Sequence, residues 1–364
     1  MANAQIGGAA VVFLQIEPDS RAAGMGNSGV ALSDNAYAIF WNPAGLADQS
    51  GTEASLTHSN WLPEFNAGLF YEYLVAKHRI EGIGTFGAHL TYLFLGEHEG
   101  RDAQNNPTGE FRSYDLALGA SYGTHLTRNF AIGTGARLIY SNLAPGQVVG
   151  AQETRAGVAV GFDLAGLYEV PRFSLGNVGV GLNLGFNLAN MGPKIQSSDQ
   201  GQADPIPTNL RFGYAATFEF DEYNKITFAN DFNKMLIRVV PDSASGTNVA
   251  DPFYKALFSA WQPIQVCTAS VSECADDPSR LESIGVLSQL TIGTGLEYWY
   301  RELFAMRLGY FYESPYNGNR QFLTFGSGIR WNIIGVDFSY IYALEEGHPL
   351  ANTMRFSLLL NFLK

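Results

Sequence analysis

The stretch Thr353-Met354-Arg355-Phe356-Ser357-Leu358-Leu359-Leu360-Asn361-Phe362 sets the terms for the whole chain. Met354, Phe356, Leu358, Leu360 and Phe362 fall on one side of an extended backbone, and Thr353, Arg355, Ser357, Leu359 and Asn361 on the other. Successive side chains of a strand point to opposite faces, so this period of two reads as a β-strand. One face is apolar and ends in an aromatic ring; the other carries a full positive charge. A soluble core has little use for that pairing, whereas a barrel wall with lipid outside and a polar interior requires it.

The pattern repeats toward the N-terminus. In 334–342, Ile334, Val336, Phe338, Tyr340 and Tyr342 oppose Gly335, Asp337, Ser339 and Ile341. Leu323, Phe325, Ile329 and Trp331 oppose Thr324, Gly326, Gly328 and Arg330. Phe304, Met306, Leu308 and Tyr310 oppose Ala305, Arg307 and Gly309. The alternation predicts about fourteen antiparallel strands, an even number as single-chain bacterial barrels require. The expected spans are 52–59, 66–77, 82–96, 111–125, 129–142, 154–170, 175–190, 206–220, 223–240, 289–299, 304–313, 321–331, 334–343 and 353–362.

The gaps alternate in length. Short ones include Lys77–Glu81, Thr124–Arg128, Asp221–Glu222 and Asn332–Ile333; long ones include Gly96–Glu110, Asn190–Pro205, 241–288 and Leu344–Asn352. Short periplasmic turns alternating with long external loops are the outer-membrane arrangement, and neither a sandwich nor a propeller predicts it. With both termini placed in the periplasm, 59–66 becomes the first external loop and 241–288 lies outside the cell. The fold class expected is therefore all-β: a transmembrane barrel over 51–364, preceded by a non-repeating segment, 1–50, that plugs the lumen.

Composition agrees. The chain has 40 Gly, 25 Phe and 18 Tyr among 364 residues, and only 15% of residues are charged, well below the usual quarter or so. Mean hydropathy is −0.02, the near-neutral value of a wall in which alternate residues face lipid. No stretch reaches the eighteen or so apolar residues of a membrane-crossing helix. The net charge of −12 argues against nucleic acid as a partner, since phosphate binding needs a basic footprint. The start, Met1-Ala2-Asn3-Ala4-Gln5, has no basic region or apolar core and resembles the small-residue end of a cleaved signal. A mature chain behind an added Met, exported by a signal absent from this numbering, is expected.

Cys267 and Cys274 lie close together in the 241–288 loop. In an oxidising compartment they would close a short disulfide loop, with two free thiols as the alternative. The same loop carries Phe253, Tyr254, Phe258 and Trp261, which on a short amphipathic helix over the barrel mouth would form either a partner-binding surface or a self-packed cap.

The polar face carries both signs: Asp115, Arg137, Asp163, Arg211, Glu219, Glu297, Arg307, Arg330, Asp337 and Arg355. Buried charges are tolerated only when paired and hydrogen-bonded, so these residues predict a neutralised lumenal network. Arg21 and Asp34 of the N-terminal segment are offered as partners to it. Within the same segment, Gly24, Gly26 and Gly29 are expected to let backbone approach the wall, and Asn42-Pro43 to set a rigid turn. There is no Gly-x-Ser-x-Gly elbow, His-Glu-x-x-His or phosphate loop, and the six histidines show no ligand spacing. No metal or cofactor is expected, and the chain reads as a non-enzyme.

Asn42-Pro43-Ala44 resembles the lumenal hatch motif of the FadL-like outer-membrane superfamily, and with Trp41 before it, Trp41-Asn42-Pro43-Ala44 is similar to one branch of it. Its context, Phe13-Leu14-Gln15-Ile16-Glu17-Pro18-Asp19-Ser20-Arg21-Ala22-Ala23-Gly24-Met25-Gly26, is similar to the start of that branch, the PorV (LptO) and PorQ proteins of type IX secretion. Asn352-Thr353-Met354-Arg355-Phe356-Ser357-Leu358 is similar to that branch's last strand. The Cys-bearing loop has no counterpart in these motifs. The resemblance implies a barrel without enzymatic activity that receives secreted cargo, by its C-terminal signal domain, from the SprA-like translocon and delivers it to the surface attachment complex. Other FadL-like members move fatty acids or aromatic hydrocarbons. The inferred inward face is dominated by Gly, Asn, Thr and charges of both signs, which favours the first of these over a passive hydrophobic transporter. A general porin is disfavoured by the hatch-like start.

Overall fold

The computed structural model describes residues 8–32, 34–101, 104, 106–149, 152–196, 203–241, 248–267 and 281–362. Its central element is a closed antiparallel barrel of fourteen strands: β1 (Thr52–Asn60), β2 (Phe70–Ile80), β3 (Gly84–Arg101), β4 (Pro107–Thr127), β5 (Phe130–Asn142), β6 (Gly157–Leu175), β7 (Val178–Met191), β8 (Asn209–Glu219), β9 (Asn224–Met235), β10 (Leu290–Tyr300), β11 (Phe304–Glu313), β12 (Gln321–Trp331), β13 (Ile334–Ala343) and β14 (Met354–Asn361). Each expected strand is present. The ring closes where β1 pairs with β14, from Glu53 opposite Asn361 to Ser59 opposite Arg355. Closure leaves no unpaired edge, the condition for a sheet to stand in lipid. Among the described residues no helix is long and apolar enough to cross a membrane; the crossing is made by strands.

The faces follow the alternation. On β14, Phe356 is 51% exposed on the outer surface while its neighbour Arg355 is 1% exposed in the lumen. The connections 81–83, 128–129, 176–177, 220–223, 301–303 and 332–333 are short and lie at one end. The long connections lie at the other end, the largest being 236–289. By the general arrangement of such barrels the short-turn end is periplasmic.

Three boundaries differ from the sequence reading, each for a local reason. β2 begins at Phe70 and not at 66, because Asn66 and Gly68 take positive φ values of 49° and 65° that interrupt an extended chain. The gap expected at Gly96–Glu110 shrinks to 102–106. A register shift between Phe94 and Glu97 changes the phase of the alternation, and the β3–β4 ladder then continues to Arg101 opposite Pro107. β9 stops at Met235, after which the Leu236 amide donates to the Thr208 carbonyl at 2.8 Å and the chain leaves the sheet.

Residues 8–50 fill the lumen. Near the long-loop end the Ala10 amide donates to Pro205 O at 3.0 Å, and Gln15 Nε2 to Pro207 O at 3.1 Å. The chain then runs through α1 (Ser20–Ala23), α2 (Ala38–Trp41) and a 3-10 turn, Pro43–Asp48. It reaches the short-turn end at Gly51, whose carbonyl accepts from the Arg79 amide at 3.0 Å. The expectation of two periplasmic termini is thereby corrected: the described N-terminal residues sit at the long-loop end, because the segment descends the lumen before starting β1. Phe13, Leu14, Ile16, Tyr37, Ile39, Phe40, Trp41 and Leu46 bury against wall residues that include Tyr71, Tyr73, Val75 and Ile139. Each such side chain contributes about 1.5–3 kcal/mol.

Candidate functional site: the plugged lumen and its two mouths

Two short helical pieces are tied together by one carboxylate. Asp19 caps α1 by accepting from the Ala22 amide at 2.9 Å, the ordinary role of Asp before a helix. Its other oxygen accepts from Trp41 Nε1 at 2.5 Å. Asn42 begins the next turn in the same way: Oδ1 accepts from the Ala44 amide at 3.1 Å, with Pro43 at the first helical position. The Asn42 amide group donates to Val30 O at 2.8 Å and to Gly166 O at 3.1 Å, so one buried side chain joins two parts of the plug to the wall. Asn42→Ala is expected to lose about 1–3 kcal/mol of folding stability. Asn42→Asp keeps the cap but sets a carboxylate against two carbonyls, and is expected to cost at least as much. Urea midpoints for folding into lipid vesicles check both.

The wall is shaped to receive this segment. Inward glycines stand where plug backbone arrives: a Cβ on Gly123 would lie 2.5 Å from Pro43 O, and one on Gly309 2.0 Å from Gly26 N. The fit is also close at Gly26 itself, with φ +66°, where an added Cβ would lie 2.5 Å from Tyr310 O and 2.6 Å from Thr294 O. Gly24 backs onto Gly326, 3.0 Å from where its Cβ would be. Gly29 differs from the sequence expectation. Its missing side chain makes room for the plug's own Trp41, and its amide, with that of Val30, donates to Asp231 at 2.7 and 2.8 Å. Two successive amides on one carboxylate form a small anion nest.

The lumenal charges form separate groups, not one network. The largest is a chain: Arg21 donates to Glu297 at 2.8 and 2.7 Å and pairs with Asp34; Arg307 donates to Glu297 at 2.7 Å and to Asp337 at 2.8 Å; Arg330 donates to Asp337 at 2.7 and 3.1 Å. Arg137 pairs with Asp163, which also accepts from the Asn190 amide at 2.8 Å. Arg211 stacks over the rings of Phe40 at 4.5 Å and Trp41 at 5.0 Å. Arg355 faces Glu17 at 3.6 Å. Glu219 lies at the periplasmic mouth with Arg172, at 2.8 and 3.0 Å. Asp115 is buried opposite Ser141.

Several residues that hold the plug were not singled out in the sequence. Ser20, Tyr37, Thr57 and Ser357 make a buried hydroxyl chain: Tyr37 to Thr57 2.7 Å, Thr57 to Ser357 2.7 Å, Ser357 to Ser20 2.9 Å. Inward Thr and Ser are ordinary in any polar lumen, so nothing in their spacing marks them. Asp231 was missed because Asn230 and Asp231 break the alternation of β9. Asp19 was not singled out either: its bond to Trp41 joins residues 22 apart and exists only in the folded plug.

The lumen keeps cavities toward both of its ends. One, about 50 Å³, lies toward the long loops between Gln15, Glu17, Arg211, Asp231 and Arg320. The other, about 260 Å³, opens at the periplasmic mouth. Both are lined mainly by polar and charged groups.

The aromatic loop residues lie at the outer end. α3 spans Phe253–Ser259 within the expected piece 251–261, and its buried positions are Ala256 and, just beyond it, Ala260. With these alanines inward, the rings are not packed over the mouth: Phe258 is 80% exposed, Tyr254 63% and Trp261 40%, while Phe253 is half-buried. Leu287, at the end of the same loop, is 83% exposed. The expected pairing of Cys267 with Cys274 lies outside the described residues. Among the described residues no group of His, Cys, Asp and Glu is gathered so as to hold a metal ion.

Known proteins bear on this arrangement in two ways. The family described as type IX secretion system protein PorV matches residues 1–242. Among solved structures, the toluene transporter TodX of P. putida aligns over 96% of this chain and 99% of its own, with TM-score 0.50 and 12% identity. The toluene transporter TbuX of Ralstonia pickettii covers 95% of this chain and 99% of its own (TM-score 0.48, 14% identity). A FadL homologue of Pseudomonas aeruginosa covers 95% and 98% (TM-score 0.45, 11% identity). At these identities the likeness concerns the fold alone. No curated protein matches the chain. The family match spans the whole plug and the first nine strands, and the closed barrel places the chain in the outer membrane: it belongs to the PorV family of type IX secretion system proteins, with a FadL-like fold.

Proposed function

We propose that this barrel is a non-enzymatic cargo carrier of type IX secretion. It takes up secreted proteins by their C-terminal signal domain at the SprA-like translocon and passes them to the attachment complex at the cell surface. The observation that carries the reading is where apolar surface is offered. Inside, the plug occupies the lumen, and the cavities of about 260 and 50 Å³ beside it are polar. A small-molecule pocket is mostly apolar and about 300–1,000 Å³. Outside, Tyr254, Phe258, Trp261 and Leu287 stand exposed on the largest loop. Aromatic side chains of this kind carry most of the energy in protein interfaces, each about 2 kcal/mol or more when central.

The triple variant Tyr254→Ser, Phe258→Ser, Trp261→Ser is expected to fold and migrate as a heat-modifiable barrel. Affinity capture from native outer membranes is expected to recover about tenfold less translocon and cargo with it. Equal recovery of both by the variant sinks the loop as the gripping surface. A wild-type barrel recovered alone, with lipid or hydrocarbon in its lumen, would favour passive transport of hydrophobic small molecules instead.

A further inference from the structure

Many inward glycines of the wall are filled by the plug or by neighbouring wall side chains. Gly181, on β7, is not: a Cβ placed there would meet nothing within 4 Å. It forms part of the floor of the 260 Å³ cavity at the periplasmic mouth, beside Thr217 and Thr227, whose hydroxyls bond to each other at 3.1 Å. Here the mould has no casting. Of the plug, Arg21, Ala31, Leu32, Asp34 and Asp48 reach the cavity wall.

The charges around this space are unequally committed. Each cation that lines it is already engaged: Arg21 by Asp34 and Glu297, Arg172 by Glu219, Lys225 by Glu302 at 3.7 Å. Of the lining carboxylates, Asp48 is paired with His125 at 2.8 Å. The Glu169 carboxylate has no hydrogen-bond or ion-pair partner among the described residues. The cavity therefore combines a neutral, hydroxyl-bearing floor without side-chain filling and a carboxylate in no close ion pair, with Asp48 as well as His125 and Arg172 in its electrostatic surroundings. An elongated cation completes it: its stem can lie over Gly181 and its charged end can meet Glu169 with a charge-assisted hydrogen bond.

We infer that the periplasmic vestibule is a binding site for a lysine or arginine side chain carried on a polypeptide segment of a periplasmic partner. A wall glycine is needed there because the stem must approach the strand closely. The site lies at the opposite end of the barrel from the aromatic loop. It goes beyond the carrier reading and stands or falls separately from it.

The test uses the full-length barrel in detergent at low ionic strength, with calorimetric titration of trilysine peptide, spermidine and triglutamate. Trilysine is expected to bind and triglutamate not to. Gly181→Phe, which fills the cavity without meeting neighbouring atoms at its Cβ, and Glu169→Gln are each expected to weaken trilysine about tenfold or more. Both variants are first checked for heat-modifiable migration, so a folding failure in one leaves the other to decide. Absence of trilysine binding overturns the site. So does binding that Gly181→Phe leaves unchanged, which would report only the net negative charge of the surface. Binding of spermidine with no binding of trilysine overturns the polypeptide assignment in favour of a free polyamine.

Discussion

Replacing Gly26 by valine is expected to unseat residues 8–50 from the lumen while the strands still form their ladder. At φ +66° a β-branched residue is strained by about 1–3 kcal/mol. The Cβ would lie 2.5–2.7 Å from backbone atoms of Tyr310 and Thr294. These two residues are paired partners on β10 and β11, so neither can withdraw without opening the sheet. Overpacking of this kind costs about 1–3 kcal/mol more. The Gly26 amide would also lose Thr324 Oγ1, its acceptor at 2.9 Å. Together these terms come to several kcal/mol acting on a short segment, against a barrel held by fourteen ladders. The plug should yield first. Limited proteolysis is expected to cut within 8–50 in the variant and not in the wild type, and conductance through planar bilayers is expected to rise. Gly26→Ala should move both readouts the same way by less. Wild-type cleavage and conductance in the valine variant would contradict the close fit at this position.

Removing Glu297 is the second large effect. Its carboxylate is fully buried and accepts from two guanidiniums, Arg21 of the plug and Arg307 of the wall. Glu297→Ala leaves Arg21 with Asp34 and Arg307 with Asp337, but the two like charges lose the anion between them. Breaking a buried pair from one side costs about 3–5 kcal/mol, because an uncompensated charge remains out of water. Glu297→Gln keeps the shape and one acceptor oxygen and is expected to cost less. A double-mutant cycle separates the pairwise part: Arg21→Met should cost clearly less in the Glu297→Ala background than in the wild type. The measurement is the urea midpoint of folding into lipid vesicles. Additive losses would show that the two residues act independently, and that the salt link does not hold plug to wall.

The two predictions describe one design. The plug is moulded against glycine-lined strands on most sides, and one ion-paired chain crosses from it into β10, β11, β13 and β12. The side left unfilled is the vestibule at β7 and β8, and the apolar surface left uncovered is on the outer loop. Small-molecule passage would need the moulded contacts to open; partner binding at either mouth would not. This asymmetry favours a carrier that works at its two ends.

How far the sequence could be read depended on which physical signal carried each feature. Alternation along Met354, Phe356, Leu358 and Leu360 is local and strong, since one face meets lipid and a slip of one residue would put Arg355 there. Strand number, the short and long ends, the lipid face and the lumenal charges were all legible from that rule. Boundaries failed where a positive φ or a register shift interrupts the period, as at Asn66 and Gly96. Asn42-Pro43 was readable as a turn, because a capping side chain and a fixed φ act within a few residues of themselves.

Only the closed tertiary structure decided which charge meets which. Arg21 and Glu297 are 276 residues apart, and nothing in an alternating pattern ranks Glu297 over the other inward acids as its partner. The same holds for the hydroxyl chain from Tyr37 to Ser20, for Asp231 under the amides of Gly29 and Val30, and for the direction in which residues 8–50 traverse the lumen. The amino-acid sequence determined that a fourteen-strand wall would form with a segment left over to fill it, because lipid exposure and strand period act on neighbours. The tertiary structure determined how that segment is held and where space remains, because those contacts exist only once the ring has closed.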